Sequence, residues 1–222
     1  MTNEERRAYE ARVAEMYDPF ADEYVEAIAP RQGFWAAVTA ELRGLARGKV
    51  LDVGCGPGHL TRDLPAEVEV SGIDISTAMI QEARRGRPRA RWVVGSYHEP
   101  LPDGWSGFDL VLAVGCLEFC RDLHGVLVRL GDALAPAGRL IVTVALNPDE
   151  TRARGARPID SDHVEVPMYM YSFAAMKDAV RAAGLRAASH RRLHGWTSSE
   201  DLRTDYVLWD LRRDAVASYD DA

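Results

Sequence analysis

Three glycines at alternate positions, Gly54, Gly56 and Gly58, form the part of this sequence best suited to holding a small molecule. They directly follow residues 50–53, which have the apolar character of a short buried strand. A glycine-rich turn at the end of a strand lets the backbone approach a ligand closely. The dinucleotide fingerprint GxGxxG requires a glycine where this chain has His59, so the spacing disfavours a pyrophosphate ligand.

An acidic residue, Asp74, ends the next strand pattern along the chain. A carboxylate at the end of a strand can accept hydrogen bonds from the two adjacent hydroxyls of a ribose. The alternative is an aspartate that only opens a loop. With the glycine turn upstream, Asp74 favours a cofactor that contains adenosine.

Strand and helix patterns alternate through the region that must position these residues. The predicted strands are 49–54, 68–73, 90–94, 108–114, 138–146, 185–193 and 205–211, and the predicted helices are 35–45, 59–64, 76–85, 124–134 and 172–183. Strands separated by helices imply right-handed crossovers and a mostly parallel sheet covered on both faces.

Length and charge narrow the function classes. The 222 residues, 47% of them hydrophobic, suit one α/β domain, which we divide into an N-terminal helical lid (1–45) and a core (46–222) with a substrate loop at 147–171.

A net charge of −7 without a basic stripe disfavours nucleic acid as a partner. The charged opening residues and strand-sized apolar runs predict no membrane insertion and a cytoplasmic location. The three cysteines predict reduced thiols and no metal site.

Four motifs carry a resemblance to a known family. They are Val50–Gly58 (VLDVGCGPG), Gly72–Ile80 (GIDISTAMI), Phe108–Val111 (FDLV) and Leu134–Leu140 (LAPAGRL). Together they resemble class I S-adenosylmethionine (SAM) dependent methyltransferases of the small-molecule type, with a methyltransferase domain of the 11/25-like kind. The resemblance implies an α/β fold with a Rossmann-like, doubly wound, seven-stranded and mostly parallel sheet.

The resemblance also implies where SAM binds. Asp74 would hold the ribose, while Ile75 and Met79 would flank the adenine. The full set of implied cofactor residues is Asp52, Gly54, Cys55, Gly56, Gly58, Asp74, Ile75, Met79, Ser96, Tyr97 and Tyr17. The family commonly reads Gly-Asp-Ala where this chain reads Gly-Ser-Tyr at 95–97, so the adenine amino group is left to Ser96 or to the backbone.

Methyl transfer from a sulfonium is an in-line displacement, so the protein mainly aligns the two reactants. A general base is needed only for an acceptor that arrives protonated. Many relatives have a histidine where this chain has Phe119, after a retained Glu118. The candidate catalytic residues are therefore Glu118, His163 and His194, against the alternatives of a structural carboxylate and surface histidines.

Aromatic and thioether side chains favour an apolar acceptor pocket. They are Tyr17, Phe20, Tyr24, Met168, Tyr169, Met170, Tyr171 and Trp196.

We predict that the protein is an enzyme, a SAM-dependent methyltransferase. Its acceptor would be a small molecule, such as those of specialised metabolism, methylated on an oxygen, nitrogen or carbon atom. Two alternatives remain at this point: a protein of the same fold that binds SAM without methyl transfer, and an NAD-dependent oxidoreductase. A monomer and a homodimer are both compatible with the sequence.

Overall fold

A computed structural model describes residues 2–27, 32–147, 154–159, 166–197 and 203–214 of the protein. Its strands are β1 (Lys49–Val53), β2 (Glu69–Asp74), β3 (Arg91–Val94), β4 (Phe108–Ala113), β5 (Leu134–Ala145), β6 (Arg154–Ile159), β7 (Val166–Tyr171), β8 (Leu185–Thr197) and β9 (Arg203–Arg213). Its α-helices are α1 (Asn3–Tyr17), α2 (Tyr24–Ala27), α3 (Gln32–Arg43), α4 (Thr77–Gly86), α5 (Leu123–Asp132) and α6 (Phe173–Ala182).

Seven of the strands form one sheet in the order β3-β2-β1-β4-β5-β9-β8. The strands from β3 to β5 in this order pair in parallel, whereas β9 pairs antiparallel with β5 and with β8. This arrangement confirms the predicted α/β fold with a seven-stranded, mostly parallel sheet.

Hydroxyl and carboxylate side chains cap the N-termini of α4, α5 and α6, the three helices that follow strands. Ser76 caps α4 by accepting from the Met79 N–H, Asp122 caps α5, and Ser172 caps α6. Each cap satisfies a backbone donor that has no partner within its own helix. The predicted helices 76–85, 124–134 and 172–183 are thereby confirmed to within two residues at their ends.

The predicted helix at 59–64 is wrong, because this segment forms turns rather than a helix. Its backbone bonds include one from the Arg62 N–H to the carbonyl of Gly58 at 2.8 Å. Six residues between Gly58 and Pro65 are too few to repay the cost of starting a helix.

The segment 147–171 also differs from the expected loop. Residues 154–159 and 166–171 pair as the antiparallel strands β6 and β7, in register from Arg154 opposite Tyr171 to Ile159 opposite Val166. Two prolines concealed this pairing in the sequence, because Pro158 and Pro167 lie within the strands, directly opposite each other.

The large sheet buries apolar residues on both of its faces. Leu51 and Val53 of β1 belong to the core that includes α5 and α6, whereas Val50 belongs to the core that includes α3 and α4. A third cluster lies at one edge, where Tyr9, Val13 and Met16 of α1 pack with Phe119 and the start of β7. Helix α1 therefore covers the carboxyl ends of the central strands.

A crevice for ligands is expected where the order of strands reverses. Strand β1 lies between β2 and β4, with Val53 opposite both Ile73 and Ala113. In open α/β sheets this switch point at the carboxyl ends is the usual binding position. Within the described residues, no helix has the length and apolarity needed to cross a bilayer.

Candidate active site

A cavity that opens to solvent lies at this switch point beneath α1. Its wall is formed by Val13, Tyr17, Tyr24, Gly54, Gly56, Asp74, Ile75, Ser76, Met79, Tyr97, Gly115, Cys116 and Phe119. Seven of these residues are among the predicted cofactor set: Tyr17, Gly54, Gly56, Asp74, Ile75, Met79 and Tyr97. The structure thus brings together residues spread over eighty positions of sequence.

The three glycines of the turn all have left-handed backbone angles, with φ of 61° at Gly54, 51° at Gly56 and 72° at Gly58. A Cβ atom on Gly54 would lie 2.4 Å from the Cβ of Cys116, and one on Gly58 would lie 3.0 Å from the Trp92 ring. A Cβ on Gly56 would meet nothing closer than 3.9 Å. Glycine at positions 54 and 58 therefore allows Cys116 and Trp92 to pack close to the turn. The open space beside Gly56 belongs to the cavity.

The carboxylate of Asp74 is held by the turn it faces. Its Oδ2 accepts from the Gly56 N–H at 2.8 Å, and its Oδ1 accepts from the Ser76 N–H at 2.9 Å. Burial raises the pKa of Asp74, and these two backbone hydrogen bonds oppose that rise. Each carboxylate oxygen has a second acceptor position, so both remain able to bind a hydroxyl.

The rest of the cavity wall is apolar or aromatic. Ile75 and Met79 lie on the side of Asp74, and Met79 is almost fully buried. Tyr17 is the centre of an aromatic group, with ring centroids 6.0 Å from Tyr24 and 5.9 Å from Phe119. A carboxylate suited to a diol beside apolar side chains suited to a flat ring is the chemistry that adenosine requires, so the residues fit the adenosyl part of SAM.

Three predicted cofactor residues lie outside the cavity wall. Asp52 is buried and accepts from the Thr61 hydroxyl at 3.3 Å, and burial raises the pKa of Asp52 to about 7. Cys55 is buried, and burial raises the pKa of its thiol. Gly58 packs against Trp92. These three residues pack around the turn without lining the cavity.

Ser96 also lies outside this wall, although its neighbour Tyr97 contributes to it. The Ser96 hydroxyl donates to Glu10 of α1 at 2.6 Å, and Nδ1 of His98 lies 2.8 Å from the same oxygen. Burial raises the pKa of Glu10, but the hydrogen bonds from His98 and Ser96 outweigh it and lower that pKa. The segment after β3 therefore anchors helix α1.

The two candidate catalytic residues within the described part of the chain, Glu118 and His194, contact different residues of β9. Glu118 is buried and accepts from the Tyr206 hydroxyl at 2.7 Å, while Nδ1 of His194 lies 3.2 Å from Asp205. Asp205 and Tyr206 are consecutive in β9, so their side chains point to opposite faces of the sheet. Neither Glu118 nor His194 lines the cavity, and His163 lies outside the described residues.

Six residues of the cavity wall were not predicted to bind the cofactor: Val13, Tyr24, Ser76, Gly115, Cys116 and Phe119, of which Tyr24 was predicted for the acceptor pocket. Of these residues, Val13 could have been predicted, because it lies four residues before Tyr17 and shares a helix face with it. Cys116 and Phe119 follow β4, and only the parallel pairing of β4 with β1 brings them to the cavity.

The sheet order and this cavity define a class of protein, a Rossmann-like domain that binds an adenosyl cofactor at its switch point. A family model described as a methyltransferase domain matches residues 50–138. The chain is 31% identical over 203 residues to trans-aconitate 2-methyltransferase of Methylobacterium nodulans, covering 88% of this chain and 70% of that protein. The chain therefore belongs to the class I SAM-dependent methyltransferase family, and it is an enzyme whose cofactor is SAM.

Two further similarities cover most of the molecule. The chain is 28% identical over 255 residues to nocamycin O-methyltransferase of Saccharothrix syringae, covering 95% of this chain and 84% of that protein. Its fold matches a Burkholderia thailandensis 1,6-didemethyltoxoflavin N1-methyltransferase with a TM-score of 0.71 and 21% identity, over 96% of this chain and 92% of the other. These findings favour the methyltransferase prediction over the NAD-dependent alternative.

Proposed function

We propose that the enzyme transfers the methyl group of SAM to an oxygen atom of a small, largely apolar organic acceptor. The observation that carries the proposal is the cavity, in which the Asp74 side is continuous with an aromatic and aliphatic wall of Val13, Tyr17 and Phe119. Nocamycin O-methyltransferase, which matches over most of both chains, supports oxygen as the acceptor atom.

The residues of the chain contribute mainly by position. Bound SAM supplies a methyl group activated by a sulfonium. Asp74 orients the ribose and so fixes the adenosyl end, while α1 and Phe119 exclude water from the other end. The Tyr9 hydroxyl donates to the carbonyl of Pro167 at 2.6 Å, and this bond joins the helical lid to the β6–β7 hairpin. We assign the acceptor to the part of the cavity that Val13, Tyr17 and Phe119 line.

Glu118 acts in this scheme as a positioning residue for Tyr206. Its burial and its hydrogen bond to the Tyr206 hydroxyl support that role. His194 and His163 are retained as candidates for contact with the acceptor.

Incubation of the enzyme with methyl-¹³C SAM and a panel of small phenols, enols, carboxylic acids and amines tests the proposal. S-adenosylhomocysteine (SAH) should form with one or more oxygen acceptors, and carbon NMR should identify a methoxy product. A product methylated on nitrogen or carbon would refute the oxygen assignment. Tight SAH binding without turnover across the panel would favour a SAM-binding protein that performs no transfer.

A further inference from the structure

A pocket separate from the cofactor cavity lies at the other end of the large sheet. Its lining, here called the basic pocket, consists of Pro136, Ala137, Gly138, Arg186, Arg212, Arg213 and Asp214. Residues 136–138 lie between the first two residues of β5 that pair with β4, and so at the amino ends of these parallel strands. The basic pocket and the cofactor cavity have no lining residue in common.

Two arginines of the basic pocket lie directly opposite each other. Arg186 of β8 pairs in register with Arg212 of β9. Side chains that are opposite in an antiparallel pair lie on the same face, with Cβ atoms about 4.5–5.5 Å apart, and like charges at this distance are destabilising. The free protein therefore carries a repulsive pair, and an anion bound between the two guanidinium groups would remove the repulsion.

The nearest buried carboxylate is already occupied by another arginine. Asp210 accepts from Nε of Arg139 at 3.1 Å and from its Nη2 at 2.7 Å. Nε of Arg212 lies 3.7 Å from Asp210, and this N–H makes no hydrogen bond within the described residues. Arg186 forms no ion pair in the same part of the chain. The two opposed arginines therefore lack a carboxylate of their own.

The third arginine adds to the positive charge. Arg213 donates to the backbone carbonyl of Leu134 at 2.9 Å, a neutral acceptor that leaves the charge uncompensated. Against these three arginines the lining has one carboxylate, on Asp214, so it has an excess of about two positive charges. This concentration of positive charge occurs in a chain whose formal net charge is −7.

We propose that the basic pocket binds a dianionic phosphate group, either as the free ion or as a small monoester. The planar guanidinium group presents N–H donors in a fork that matches the oxygens of a phosphate, and such charge-assisted bonds are stronger than neutral ones. A phosphomonoester carries about 1.5 to 2 negative charges at pH 7, which matches the excess charge of the pocket. Arg186 and Arg212 hold the phosphate from adjacent strands, and Arg213 contributes the third positive charge.

Isothermal titration at low ionic strength with inorganic phosphate and with glycerol 3-phosphate tests the site without any measurement of activity. Wild type should bind at least one of them, and the tighter ligand identifies whether the free ion or a monoester is preferred. Arg186→Ala and Arg212→Ala should each weaken binding about tenfold or more, because each removes a charge-assisted donor.

Arg191→Ala is the matched control. It removes the same charge from the same strand, but Arg191 lies outside the lining and 3.7 Å from Glu41. We expect its phosphate affinity to stay within about twofold of wild type. SAH affinity should be unchanged in all three variants, so the phosphate result is independent of the cofactor site.

Thermal unfolding separates a binding role from a structural one. In buffer without phosphate, Arg186→Ala should melt at the same temperature as wild type or higher, because the repulsion between opposed arginines is gone. Phosphate should then raise the melting temperature of wild type more than that of Arg186→Ala. The absence of binding by both ligands, unchanged affinity in Arg186→Ala and Arg212→Ala, or an equal loss in Arg191→Ala would overturn the proposal.

Discussion

The two halves of the active site differ in how their residues are arranged. On the cofactor side, Gly54, Gly56 and Asp74 come from two adjacent strand ends and form one hydrogen-bonded unit. On the acceptor side, Glu118 and His194 contact consecutive residues of β9 and face away from each other. In the site that we propose, the cofactor would be held by local turn chemistry, whereas the candidates for contact with the acceptor are positioned by contacts between distant segments.

The largest effect is expected for Gly56→Val. The valine side chain would occupy the cavity, and its branching at Cβ would disfavour the left-handed φ of 51° at this position. SAH affinity measured by titration should fall by about 1000-fold or more, or roughly 4 kcal/mol.

Gly58→Ala is the matched control, since it also places a side chain on a left-handed backbone, with φ of 72°. Its Cβ meets Trp92 instead of the cavity. We expect a lower melting temperature with SAH affinity close to that of wild type. Equal loss of affinity in both variants would contradict the distinction between the two glycines.

Asp52→Asn tests the carboxylate that lies behind the turn. Because the folded-state pKa is raised from 3.8 to about 7, wild type loses stability as pH rises through this window, while the amide variant does not. The stability advantage of Asp52→Asn should therefore grow by about 3 kcal/mol between roughly pH 5 and pH 8, measured by urea unfolding. A constant difference would mean that Asp52 is ionised throughout.

Asp74→Ala should weaken SAH binding by about 1–3 kcal/mol, because a charged acceptor of two hydroxyls is lost. The same change frees the backbone N–H groups of Gly56 and Ser76. Asp74→Asn separates the two effects, since its single carbonyl can still accept from the backbone. 2′-Deoxy and 3′-deoxy analogues of SAH should lose their disadvantage in Asp74→Ala, and an unchanged disadvantage would remove the ribose assignment.

The smallest effect is expected for Glu118→Gln. The glutamine carbonyl can still accept from Tyr206, so kcat should fall by less than about tenfold, whereas loss of a general base typically costs about 100-fold or more. Tyr206→Phe, which removes the donor instead, should lower kcat to a similar extent. A flattened pH profile of kcat in Glu118→Gln alone would show that Glu118 does act as a base.

The sequence predicted the cofactor side because its signals are short. A strand, a glycine turn and an acidic strand end lie within residues 49–74, and parallel pairing places them together by rule. The turn at 59–64 and the β6–β7 hairpin were missed, because short helices and proline-containing strands have weak periodicity. The sequence marks His59 only as a departure from the dinucleotide fingerprint, because its ring contact with Trp35 depends on tertiary packing.

The acceptor side could not be predicted in the same way. Glu118 and Tyr206 are 88 positions apart, and no local pattern links them. The placement of Ser96 likewise depends on Glu10, a residue of the first helix that lies 86 positions earlier in the sequence. Contacts of this kind depend on how α1 packs over the sheet and on the pairing of β9 with β5.

Helix α1 is fastened at two places, by Glu10 to the segment after β3 and by Tyr9 to the hairpin. One helix thus borders the cavity through Val13 and Tyr17 and is also tied to the hairpin. We expect product departure, rather than bond making, to limit each turnover, so that loosening Tyr9 by substitution with phenylalanine would speed the steady state while leaving a single-turnover rate unchanged.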